Sequence, residues 1–189
     1  MNTNHNKKCR VLPGLVLLVA QMAFNSIYAA DTKDNRGEFS VTDYKFVKAA
    51  ACGGVLEVNL GNIAAANSHN IGVQKFGLLM VKDHGNAGQN LAQIASLKGA
   101  SLPDHMTTIQ QKEMDRLAQL SGPKFDKAYV AFMVKCHIAD EKAFKQASED
   151  AQDADLKTFA ATTLTMVRGH LKMAESLDES IKHELSANQ

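Results

Sequence analysis

Glu57, His84, His137 and His170 are the residues whose type and spacing can do chemistry, because each sits mid-way along an otherwise apolar helical stripe. A buried carboxylate without a partner costs several kcal/mol, so Glu57 needs one. Three imidazoles and one carboxylate converging in one core can hydrogen-bond to each other. They can equally hold a single transition-metal ion, and zinc, iron and copper all accept such donors. A ligating imidazole usually donates its other N–H to an oxygen, which makes Asp83, Asp140 and Glu141 the outer partners. The alternative is a metal-free network of the same residues that only fixes helix register.

Met80, Met133 and Met166 each precede a histidine by four residues, in a shared Met-Val-basic-x-His pattern. Met and His together suit copper(I), but methionine is more often a core filler. With the second and fourth main helices running one way and the third the other, Met133 falls on the opposite side of the histidines from Met80 and Met166. Cys52 and Cys136 are expected to be too far apart for a disulfide if the first and third main helices lie diagonally. His69, His105 and His183 fall in turns or near the chain end. The sequence has no phosphate-binding glycine loop, no Cys-x-x-Cys pair and no nucleophile elbow.

The elements that must position these residues are helices. Phe46, Ala50, Gly53, Glu57, Leu60 and Ala64 recur at spacings of three and four, one face of a helix. Ser40 and Asp43 have capping-box spacing at its start. After a break at Asn67–Asn70, Val73, Gly77, Met80, His84, Ala87, Leu91 and Ile94 repeat the pattern. A connector carries a short helix opened by Thr108 and Gln111, and Pro123 suits the first turn of the next long helix. Val130, Met133, His137, Asp140, Phe144 and Ala147 form its stripe, and Leu156, Phe159, Thr163, Met166, His170, Met173 and Leu177 form the last. The expectation is an all-α antiparallel four-helix bundle with a short extra helix between helices two and three. Glu57 and His84 flank one turn with a stagger of about 6 Å, which side chains leaning toward their own N-termini close. Glycines inside the helices, including Gly53, Gly54, Gly77, Gly85, Gly88 and Gly169, imply close helix approach or room beside a site.

Lys7, Lys8 and Arg10 precede an apolar stretch from Val11 to Phe24, shorter than the roughly 20 residues of a membrane span. Small residues follow at Ala29-Ala30, so residues 1–29 read as a signal peptide, 30–39 as a flexible lead-in and 40–185 as the domain. The expected mature start is Ala30 or Asp31, in the periplasm or secreted, with no membrane span and room for a peripheral association with the outer membrane. At 189 residues, 45% hydrophobic and 22% charged, the chain is one globular domain rather than a disordered one. A net charge of +1 supplies no basic field for nucleic acid.

Phe46 and Ala50, Glu57 with Leu60-Gly61, Met80-Val81-x-Asp83-His84, Phe125-Asp126 with Tyr129, His137 and the late His170 form an ordered set over about Phe39 to Leu185. That set resembles the exported bacterial family called domain of unknown function 4142. The resemblance implies a ferritin-like helical bundle in the periplasm or near the outer membrane; the family has no established activity, so the name supplies a fold and a compartment. Ferritin-like di-iron sites use Glu-x-x-His pairs, whereas Leu60 follows Glu57 by three here, which favours one ion over two. The functional expectation is metal binding or buffering in the cell envelope, with the purely structural or interaction module as the alternative. Catalysis would need an open coordination position, and protein partners are not legible.

Overall fold

The computed structural model describes residues 35–187, which fold into five α-helices with no strand among them. These are α1 (Val41–Asn67), α2 (Ile71–Leu97), α3 (Thr108–Ala118), α4 (Gly122–Asp150) and α5 (Ala154–Ala187). The signal-peptide expectation falls on residues outside the described ones. The described part of the lead-in is tied down rather than loose. Glu38 N–H donates to Lys98 O at 2.9 Å, Ser101 N–H to Asn35 O at 2.9 Å, and Phe39 is buried.

The helix starts follow local chemistry. Ser40 Oγ accepts from Asp43 N–H at 3.0 Å, but the Asp43 carboxylate does not turn back to complete a box. It reaches the start of α5 instead, accepting from Gln152 N–H and Asp153 N–H at 3.1 Å each. A carboxylate is favoured there because α5 presents unpaired N–H groups and the positive end of its dipole. Asn70 caps α2 through Gly72 N–H and Val73 N–H. The α3 capping box is Thr107 with Gln110, one residue earlier than expected. Thr107-Thr108 and Gln110-Gln111 offer the same spacing twice, so the sequence admits both registers.

Of the four long helices, α1 packs on α2 and α4, and α5 packs on α2 and α4. Asn67 Nδ2 at the end of α1 donates to Leu120 O just before α4, while Asp43 at its start meets the α4–α5 turn. The connector 98–121, with α3 in it, therefore returns along the molecule, and α4 starts at the same end as α2. The expectation that the second and fourth main helices, α2 and α5, run parallel is corrected: α2 and α4 run one way, α1 and α5 the other. Consequently α1 and α4 are neighbours rather than a diagonal pair, and every packed pair of long helices is antiparallel. Cys52 and Cys136 are free thiols.

Two apolar clusters result. One joins Leu60, Ala64, Val73, Phe76, Met80, Leu117, Phe125, Tyr129, Met133 and Ala174; the other joins Tyr44, Val47, Leu91, Phe144, Leu156 and Val167. Met80 and Met133 lie in the first and Met166 packs against the second, so Met166 is the one set apart, contrary to the expectation for Met133. Met80 and Met133 are fully buried and Met166 is half-buried against its cluster, which fits core filling. By length and composition α1 could cross a membrane, with mean hydropathy 1.2 over its most apolar window. Here it is a packed helix carrying buried Asp43 and Glu57.

Candidate metal centre

Glu57, His84, His137 and His170 occupy the seam between the two clusters, and all four are buried, His137 completely. On α2, α4 and α5 the histidine comes between the last residue of one cluster and the first of the other. The imidazole rings face one another with centroids 5.3 to 5.6 Å apart. One nitrogen from each histidine lies within 4.8 Å of one from each of the others. The Phe76 ring closes one side, 6.4 Å from both His137 and His170.

Each ring has one nitrogen engaged. His84 Nδ1 is 2.8 Å from Glu57 Oε2, His137 Nδ1 is 2.9 Å from Met133 O, and His170 Nε2 is 3.0 Å from Asp83 Oδ2. The other three nitrogens, His84 Nε2, His137 Nε2 and His170 Nδ1, are buried without a partner. Leaving a buried polar atom unpaired costs about 1–3 kcal/mol. Three such atoms, on rings packed 5.3 to 5.6 Å apart, form an uncompensated set of lone pairs. Oriented imidazoles with an oxygen behind each ring are the arrangement that metal ligation requires.

Burial also sets the protonation states. His84 is held down to about 4 by desolvation, against the pull of Asp140 and Asp83. Desolvation lowers His137 and His170 as well, with the Glu57 charge and the Asp83 bond opposing it. All three rings are therefore neutral near pH 7, the form that donates a lone pair to a metal.

The carboxyls behave differently. Glu57 Oε1 stands 3.8 Å from His137 Nε2, too far for a hydrogen bond. Desolvation pushes Glu57 up, and His137 and a hydrogen bond with Asp140 pull it back. Asp140 is raised to about 8 by burial and by the Glu57 carboxylate beside it. The Glu57 and Asp140 carboxyl oxygens lie within 4.8 Å of each other in a buried site, where each disfavours ionisation of the other. Glu57, His137 and Asp140 form a second set of donor atoms within 4.8 Å. Both sets draw on His137, whose Nδ1 is already committed, so Nε2 can serve one ion at a time.

Asp83 thus stands behind His170, and Asp140 stands beside Glu57 rather than behind a histidine. Glu141 lies away from the centre, 2.8 Å from Arg168 Nε on the surface. Tyr129 is a site neighbour that sequence reasoning used only for resemblance. Its buried hydroxyl has no partner, and burial and the Glu57 charge raise its pKa. Its position eight residues before His137, on the same helical face, was the available signal. A cavity of about 30 Å³, room for one water, adjoins Glu57, His84 and Asp140.

A helical scaffold with buried, preoriented histidines defines a class of protein with a candidate metal centre. The chain matches the model for the Domain of unknown function (DUF4142) family over residues 29–177 and belongs to that family. A crystal structure of a DUF305 fragment from Deinococcus radiodurans is similar in fold, with a TM-score of 0.67. The match covers 75% of this chain and 98% of that chain at 11% identity. Comparison with curated proteins finds no match.

Proposed function

We propose that this chain is an exported, ferritin-like four-helix bundle that binds or buffers one transition-metal ion in the cell envelope. His84, His137 and His170 would hold the ion through the nitrogens left without partners. Glu57 is poised either to join them or to anchor His84. The observation that carries this reading is the set of three buried, unpartnered imidazole nitrogens, each on a ring fixed from behind. A purely structural network would be expected to pair those atoms with each other. Zinc, iron and copper all suit the donors.

The test is metal analysis of protein purified without a polyhistidine tag, followed by thermal unfolding with chelator and with each ion. An ion at 100 times its dissociation constant stabilises the fold by about 2.7 kcal/mol. The expected result is a wild-type shift that His170→Ala abolishes. Superimposable wild-type curves under every condition would overturn the proposal and leave the structural network.

A further inference from the structure

Gly53, Gly54, Gly85 and Gly88 lie inside helices, yet a Cβ at Gly53, Gly85 or Gly88 would meet nothing within 4 Å. At Gly54 the nearest atom, His84 O, is 4.0 Å away. Close helix packing therefore does not explain these residues, although each is disfavoured by about 1 kcal/mol against alanine. What they leave is space. A largely apolar groove of about 460 Å³ runs past Gly54, Gly85 and Gly88 on the α1–α2 face, with Leu102, Pro103 and Asp104 of the connector along it. The groove and the cavity beside Glu57 share Gly54, His84 and Gly88 as walls.

His84 is 6% exposed, keeps Nε2 without a partner and lines both spaces. Three histidine ligands leave further coordination positions on an ion. A cavity of about 30 Å³ beside His84 limits the size of any further ligand.

Resting on the metal reading above, we infer that the Gly54–Gly88 gap is a port. It admits small ligands of about three heavy atoms or fewer to a coordination position beside His84. Filling Gly88 narrows the port without touching any ligand atom.

The experiment uses the cobalt(II)-loaded protein, with azide and imidazole as probes and visible absorption as the readout. Wild type is expected to bind azide, and to bind the bulkier imidazole at least ~10-fold more slowly. Gly88→Leu should retain cobalt affinity within ~3-fold while its azide association slows ~10-fold or more. Gly54→Ala, a smaller change, should slow it in the same direction. Circular dichroism melts confirm that each variant is folded, and Gly54→Ala alone decides if Gly88→Leu is not. Equal azide rates in wild type and a folded variant overturn the port, as does a cobalt-loaded wild type that binds no azide. A wild type that takes up no cobalt overturns the metal reading and the port together, an outcome distinct from the other two.

Discussion

At the scale of single residues, the centre depends on what stands behind each ring. Asp83 holds His170 Nε2 at 3.0 Å and leaves Nδ1 buried without a partner. Asp83→Ala should free the ring to rotate and weaken metal binding about 10–100-fold, the usual loss for an outer partner. Competition against a chromophoric chelator measures it, with Glu141→Gln as a control because Glu141 serves Arg168 instead. Equal affinities for Asp83→Ala and wild type would remove Asp83 from the centre. The Tyr129 hydroxyl is a different case, since it is buried with no partner. Removing an unpaired group relieves its desolvation, so Tyr129→Phe should leave stability unchanged or raise it. Denaturant unfolding of apoprotein checks this; a loss of about 1 kcal/mol or more would mean that the hydroxyl is bonded.

At the scale of elements, the glycines divide by what surrounds them. A Cβ on Gly77 would lie 2.7 Å from Gly61 O, and one on Gly61 would lie 2.5 Å from Gly77 O. There the α1 and α2 backbones touch, and Gly77→Ala must push them apart at a cost of about 1–3 kcal/mol. Eight residues along the same helix, Gly85→Ala meets nothing and should gain up to about 1 kcal/mol from helix propensity. Opposite signs in chemical denaturation are the expected outcome; two losses of equal size would mean that helix packing does not distinguish the sites. The helices were legible in the sequence because Val73, Met80, His84 and Leu91 share one stripe of a single period. Which helix covers which was not. Periodicity identifies a buried face but not its neighbour, and nothing in residues 98–121 states that the connector runs back along the molecule. The four central residues were legible as polar side chains in apolar stripes. The pairing of Glu57 with Asp140 was not, because it depends on how α1 and α4 pack.

At the scale of the whole molecule, the same burial that prepares the histidines governs stability against pH. His84 titrates at about 4 when folded and at 6.5 ordinarily, so between those values the unfolded chain binds more protons. Stability then rises with pH across that window and is lost on acidification. His137 and His170 shift in the same direction and add to it. Asp140 acts oppositely: raised from 3.8 to about 8, it holds a proton in the folded state that the unfolded chain releases. Its contribution is complete at low pH and fades as pH rises toward 8. Glu57 is raised too, so below the ordinary histidine value three histidines and two carboxyls act in opposite directions. Above it the histidines are neutral in both states and only the carboxyls remain. Apoprotein should therefore lose stability from about pH 6.5 toward 8, where only the carboxyls titrate; on the acid side, the histidine losses on acidification work against the carboxyl gains. Thermal unfolding in chelator from pH 4 to 8 follows both limbs. Asp140→Asn removes that titration and should flatten the alkaline limb. A melting temperature that climbs steadily to pH 8, or an alkaline decline unchanged in Asp140→Asn, would show that Asp140 does not hold its proton in the folded protein.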